Sequence, residues 1–369
     1  MVLAAPELVE AQPIEVLGEV DVPLELQHGV LAGRVVGCDE GSEAQAGPAL
    51  MVGSTEIDGA TGPPKCNDLA MAGLDLRAPM EGDVEAIARV VDAQDTAWWG
   101  APAGDLEDVR DELERVRRAM GSLDVGARVA VVEGTVVGVA LAVGHGHTSV
   151  AIDSTGVDAS VVRRALFRWL AEFGDDVQID APAQDVERLS DLDALGFTPL
   201  RSSFELERPG DVADLPDPTW PDGIVPVPFR LGADDQELHE MIYSFWTDVP
   251  GHTYRPIDEW RSWILAGSWF DADLIVVARS DHGRGPLQGS VVARTFTGGV
   301  GWVSQLGVAR TARGLGLGRA LLIEACRRLG AKEPRTIGLG VEAENANALG
   351  LYCSVGFEIA REWIHCSRH

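Results

Sequence analysis

The stretch Gln305-Leu-Gly-Val-Ala-Arg-Thr-Ala-Arg313-Gly-Leu-Gly-Leu-Gly318-Arg-Ala-Leu-Leu-Ile constrains this chain more than any other. An apolar run gives way to spaced glycines and then to apolar residues at helical spacing. The pattern predicts a strand, a tight turn and the start of a helix. Glycines 314, 316 and 318 keep Cβ atoms off the turn. The first amides of a helix lack intrahelical acceptors and lie at the positive end of its dipole, so such a turn can cradle phosphate oxygens. Arg313 and Arg319 add charge at the rim. The expected ligand carries a pyrophosphate; the same glycines also fit a plain tight turn. Leu321, Leu322 and Ala325 give the helix an apolar face and are expected in the core.

Three phosphate-binding patterns compete for this loop. The P-loop needs Gly-Lys-Ser/Thr at the helix start, but Gly318 is followed by Arg319 and Ala320. The dinucleotide fingerprint fails because the sixth position counted from Gly314 is Arg319, not glycine. The pattern Arg/Gln-x-x-Gly-x-Gly/Ala is met by Arg313, Gly316 and Gly318.

At these residues the chain resembles the GNAT acyltransferase superfamily, whose members bind acetyl-CoA through this loop. Gly301–Val308 fits the family's fourth strand and Ile337–Val341 its fifth. Asn345, Ala348 and Tyr352 match its Asn-x-x-Ala-x-x-x-Tyr helix, and Val355-Gly356-Phe357 the turn that follows. The resemblance implies an α/β (α+β) fold in which a mixed, mostly antiparallel sheet is flanked by helices. It implies pantetheine lying between the fourth and fifth strands, with backbone amides around Leu306, Gly307 and Val308 facing the thioester. The amides of Arg313, Gly314, Leu315, Gly316, Leu317, Gly318 and Arg319 would take the pyrophosphate. Asn345 would hydrogen-bond pantetheine or order the loop, and it also fits a plain N-cap. Tyr352 is the candidate general acid for the leaving thiolate, and it equally fits a core aromatic. Many relatives carry a glutamate early in the fourth strand; Trp302 stands there instead, and Gly301–Val308 holds no carboxylate. Glu342, Glu344 or a more distant group would then take the amine proton through water, unless the amine arrives neutral. Glu342 also reads as a solvated strand end.

The acceptor pocket is expected around Phe245–Trp263, where Trp246, Trp260 and Trp263 crowd a short window with Trp269 close by. Such aromatics fit a core as well as a ligand cage. Asp248, His252, Tyr254 and Glu259 among them could grip a polar amine, and His252 could also serve as the base.

An order of elements recurs along the chain. Leu74–Arg77, helices over Asp83–Ala97 and Asp105–Met120, strands at Arg128–Glu133, Val136–Gly144 and Thr148–Ile152, then a helix at Val157–Phe173 form one series. It continues with a strand at Val177–Asp180, a helix over Asp185–Leu195, the turn Leu195-Gly196-Phe197 and a strand at Leu200–Glu207. Val225–Leu231 begins the second series, which ends near Val355-Gly356-Phe357. Two tandem copies are expected, over 71–208 and 224–369, joined by a proline-rich linker over 209–223. In the first copy the loop has become Ser154-Thr-Gly156-Val-Asp-Ala-Ser, and Asp153 and Asp158 would repel a pyrophosphate. That copy is expected to be degenerate and non-catalytic, supporting the second; the alternative is an altered ligand site. Residues 1–70 lack periodicity and read as a dispensable disordered extension ahead of Met71, with a short strand conceivable over Ile14–Leu26.

Charge and composition narrow the partners. The net charge of −28 argues against nucleic acid and anionic membranes and suits a cationic amine. No apolar run is long enough to span a bilayer, and no secretory signal is evident. Cys38, Cys66, Cys326, Cys353 and Cys366 lack metal-ligand spacing and read as reduced thiols of a cytoplasmic protein. The expected activity is an acetyl-CoA-dependent N-acetyltransferase acting on a small-molecule primary amine, as a monomer or homodimer. The tandem layout is similar to that of family members acting on a cysteinyl amino-sugar, although Trp302 counts against that substrate. A CoA-binding sensor or scaffold without turnover is the competing class.

Overall fold

The computed structural model describes residues 73–100, 106–144, 147–174, 177–246, 254, 256–265, 270–296 and 299–368. The segment expected to be disordered, with the strand at Ile14–Leu26, lies outside the described residues. Apart from short turns, both halves run in the same order. The first comprises β1 (Leu74–Arg77), α1 (Val84–Trp99), α2 (Leu106–Met120), β2 (Ala127–Val132), β3 (Thr135–Gly144), β4 (His147–Ile152), α3 (Ala159–Ala171), β5 (Gln178–Pro182), α4 (Val186–Asp193) and β6 (Thr198–Pro209). The second comprises β7 (Val225–Pro228), α5 (Asp235–Trp246), α6 (Ile257–Ile264), β8 (Ile275–Arg279), β9 (Leu287–Phe296), β10 (Val300–Val308), α7 (Leu317–Gly330), β11 (Thr336–Glu342), α8 (Ala346–Cys353) and β12 (Glu358–Ser367). The hairpin between β2 and β3 turns on Glu133 and Gly134, both at positive φ, which matches the strand twist.

The strands form two sheets. β1-β2-β3-β4 is a four-stranded antiparallel sheet, and β5-β12-β6-β11-β10-β9-β8-β7 is eight-stranded. Among the described residues only the β10–β11 ladder is parallel; the other ladders are antiparallel. The halves exchange their last strands. β6 of the first half inserts between β11 and β12, while β12 of the second inserts between β5 and β6. Buried polar groups fix this register. Arg361 on β12 pairs with Glu205 and Glu207 on β6, and the indole of Trp363 donates to Glu205 at 3.2 Å. Burial pushes the Glu205 carboxyl up to about 7 even with Arg361 beside it. On the same three strands, Ser203 bonds His365 at 2.8 Å and His365 bonds Asp180 at 2.7 Å. Burial opposes ionisation of Asp180, but His365 outweighs it and holds the carboxyl below its usual range.

The cores follow the exchange. One joins α1, α2 and the β2–β4 strands to Phe229, Leu238, Ile242, Trp260 and Ile264 of the second half. A second lies under α7 and includes Tyr352 and Phe357, and a third lies under α3 and takes in Cys366. The segment joining the halves is packed, with Leu215 buried and Trp220 against the α7 core. At Gly210 a Cβ would lie 1.8 Å from the Pro334 carbonyl oxygen, so only glycine fits. Burial pushes the Cys326 thiol up to about 12 and the Cys366 thiol up to about 11, leaving both unreactive.

Candidate functional site

β10 carries the site because it leaves its neighbour partway. It pairs with β11 from Val300 to Val303, where the ladder ends. On its other edge the register with β9 slips between Val303 and Gln305, which makes Ser304 a bulge residue. From Ser304 to Val308 the edge toward β11 pairs with no described strand, while β11 continues to Glu342 against β6 on its other edge. Leu306, Gly307 and Val308 lie on this parted segment. Ser304 Oγ and Gln305 Oε1 are buried and make no hydrogen bond to a described residue, so each leaves a polar atom at the bulge available for contact. Sequence reading missed both residues, since their value comes from the bulge and not from their type.

The loop after β10 has the expected form. A short turn at Arg310–Ala312 leads to Gly314 at φ 71° and to Gly316 at φ 86°, which caps α7 with no side-chain hydrogen bond. Ala320 donates to the Gly316 carbonyl, so the amides of Leu317, Gly318 and Arg319 precede that bond. A Cβ at Gly314 or Gly316 would meet nothing within 4 Å, so open space lies over the turn. Leu315, between the two glycines, is exposed. The arginines are less available than their place suggests: Arg313 Nε donates to the Val308 carbonyl at 3.3 Å, and Arg319 is engaged with Ser354.

The equivalent turn of the first half is closed. Asp158 caps α3 and its carboxylate accepts from the amides of Ser160 and Val161. Backbone groups along the split between β4 and β5 are likewise engaged by side chains. Arg188 donates to the carbonyls of Val150 and Asp180, Gln94 engages Val150 and Ile152, and Thr148 donates to Gln178.

Tyr352 lies on α8, 1 % exposed and 6.4 Å from Phe357, ring centroid to centroid. Its hydroxyl makes no hydrogen bond to a described residue, and burial pushes the phenol well above its usual range. Asn345 is the N-cap of α8, accepting from Ala348 at 3.1 Å. Glu342 ends β11 in an ion pair with Arg201 of β6, both partly buried. Trp302 is buried and its ring lies where a Cβ at Gly338 would fall, 2.5 Å away, so that position is filled by packing across β11.

Asp248 and His252 lie outside the described residues. Tyr254 is exposed, and its ring is 4.8 Å from Tyr243 and 5.5 Å from His239. His239 is fully buried, with Trp260 at 5.4 Å. Glu259 is partly buried on α6. Sequence reading placed weight on the tryptophans and missed His239 and Tyr243, which sit on α5 at the helical spacing of core residues. Trp260 falls in the shared core.

β10 thus parts from its parallel neighbour and is followed by a helix N-terminus without a side-chain cap and, after β11, by the Tyr-bearing helix α8. Residues 236–357 match the Acetyltransferase (GNAT) family. The chain is 31 % identical over 241 residues to a mycothiol acetyltransferase of Frankia alni, covering 59 % of this chain and 71 % of the relative. It is 28 % identical over 232 residues to a mycothiol acetyltransferase of Thermomonospora curvata, covering 58 % and 74 %. Among solved structures, a GCN5-related N-acetyltransferase from Sphaerobacter thermophilus matches with a TM-score of 0.62 at 23 % identity, over 79 % of this chain and 94 % of that one. A tandem GNAT protein from the clavulanic acid biosynthesis pathway matches with a TM-score of 0.59 at 15 % identity, over 79 % and 97 %. The two structures bear on the fold alone. The chain belongs to the GNAT family of N-acetyltransferases.

Proposed function

We propose that the second half transfers an acetyl group from acetyl-CoA to the primary amine of a small molecule, and that the first half does not turn over. One observation carries this reading: the amides at the start of α7 stand uncapped beside the parted edge of β10, while the same position of the first half is stoppered by Asp158. The amides from Arg313 to Arg319 would hold the pyrophosphate. The edge at Leu306, Gly307 and Val308, with Ser304 and Gln305 beneath it, would hold the pantetheine arm and polarise the thioester carbonyl. Acetyl-CoA supplies the activated acyl group.

Tyr352 is the candidate proton donor to the departing sulfur; burial disfavours its anion, so the phenol holds its proton more tightly than usual and would give it up only as the sulfur gains charge. Asn345 acts by fixing the start of α8, the helix that carries Tyr352. Glu342 is a weak candidate for the base, since its carboxylate is already engaged in an ion pair with Arg201. The amine therefore loses its proton to water or arrives neutral. Tyr254, above the buried His239, offers an acceptor wall, with Glu259, Asp248 and His252 as further candidates from the same region.

Similarity to mycothiol acetyltransferases favours a cysteinyl amino-sugar as acceptor. The packed Trp302, in place of the glutamate of many relatives, favours another amine. Thiol release from acetyl-CoA, measured across a panel of amines that includes a cysteinyl amino-sugar, tests the proposal. Amine-dependent release supports transfer. Binding of CoA with no release for any amine would leave a sensor or scaffold.

A further inference from the structure

The first half holds a cleft that acyl transfer does not use. It lies where β4 and β5 part, closed on one side by α1 and by Trp363 of the exchanged strand β12, and it holds a cavity of about 50 Å³. We infer that this cleft is a binding site for a small organic cation, with Asp95 as the counter-charge and the indoles of Trp98 and Trp363 as walls.

Hydrogen bonding inside the cleft singles out Asp95. Gln94, Thr148 and Arg188 are engaged with backbone groups of β4 and β5, and Asp180 with His365. Asp95 is 2 % exposed, lines the cleft, and makes no hydrogen bond or ion pair with any described residue; its Oδ2 is buried without a partner. Buried carboxylates are ordinarily paired. Its charged surroundings are Asp92 on its own helix, Glu205 on β6 and Arg361 on β12, and Arg361 is engaged by Glu205 and Glu207. Burial, reinforced by Asp92, pushes the Asp95 carboxyl up to about 8. A cation beside it would restore the ionised form.

The walls decide the class of cation. Trp98 and Trp363 meet edge to face at 5.8 Å, and Val91 and Ile179 complete an apolar lining. Indole faces attract alkylammonium groups. With Asp180 held by His365, one remaining carboxylate among indoles and aliphatics is a poor set for a metal ion, which needs several oxygen or nitrogen ligands. A nucleotide thioester is disfavoured because Asp158 occupies the helix amides and side chains engage the strand edges. Arg188 is the cation of the lining; its guanidinium stacks on Trp98 at 5.3 Å and its donors go to carbonyls, so it does not neutralise Asp95.

The test titrates the full chain with tetramethylammonium and propylammonium chlorides, with propanol and sodium propionate as controls, reading heat and tryptophan fluorescence. Tetramethylammonium has no N–H to acetylate, so the outcome is independent of the proposed transfer reaction. Saturable binding of both cations with Kd on the order of 1 mM is expected for ligands of this size. Asp95→Asn should weaken binding by at least about tenfold, because the isosteric amide removes the charge alone. Trp98→Phe should reduce tetramethylammonium affinity and the fluorescence change together. Absence of saturable cation binding to the native chain overturns the inference. So does equal binding of propanol or propionate, or undiminished binding by Asp95→Asn. If that variant fails to fold, the selectivity of the native chain and the Trp98→Phe titration decide.

Discussion

Gly316→Asp copies into the second half the stopper found in the first. At φ 86° any side chain is strained, by roughly 1–2 kcal/mol, though aspartate tolerates this region better than most residues. Capping by the new carboxylate returns a few tenths of a kcal/mol relative to glycine, so the net loss of stability is about 1 kcal/mol. In a unit of this size that lowers Tm by roughly 2–4 °C. Ligand binding should suffer far more. A carboxylate about 4 Å from a phosphate charge repels it by about 4 kcal/mol at an effective dielectric of 20, or about 10³-fold in Kd. Two further variants isolate the cause. Gly316→Ala keeps the strain without the charge and should lose less than about tenfold. At Gly318 a Cβ would meet Leu351 and Val308 at 3.5 and 3.6 Å, an ordinary contact, so Gly318→Ala should bind CoA as the native chain does. Calorimetric titration with CoA, beside thermal melts, gives both quantities. If Gly316→Asp binds CoA within about threefold of native, far less than the 10³-fold electrostatic expectation, the loop is not the phosphate site.

Tyr352→Phe should retain CoA binding while kcat falls roughly 10²-fold, the usual scale of one proton donor, as read by thiol release; full activity removes Tyr352 from the chemistry. Asp95 gives a pH signature. Its folded carboxyl titrates near 8, above its unfolded value, so the native state holds the extra proton between about pH 4 and 8. Stability from this residue should therefore decline as pH rises through that window, by up to about 1.4 kcal/mol per unit. Asp95→Asn should remove the decline in urea titrations, and identical pH profiles would contradict it. Residues 73–208 and 224–369 expressed separately should each fail to fold stably, since each lacks a strand that its sheet receives from the other. Co-expression should restore the native circular dichroism, and a stable isolated half would refute the exchange.

Local patterns were legible in the sequence. The glycine loop, the Asn345–Tyr352 helix and the repeated order of elements depend on residues near one another, and Asp158 already read as hostile to phosphate. The exchange of β6 and β12 was not legible, because a strand's alternation names its faces and not its neighbours. Arg361 and His365, which fix that exchange, look like surface residues until Glu205, Glu207, Ser203 and Asp180 are brought beside them. Glu342 was readable as a strand-end carboxylate, but its partner Arg201 comes from a strand that precedes it by 141 residues. Ser304 became visible only through the slip in register that buries it.

The most direct test of the central claim is amide hydrogen exchange with and without acetyl-CoA. Binding through the helix start predicts strong new protection of the amides of Gly314 to Arg319 and of Leu306 to Val308. It also predicts no change at Ser160 and Val161, already bonded to Asp158. Saturating acetyl-CoA that leaves the 314–319 amides exchanging as before would contradict the assignment.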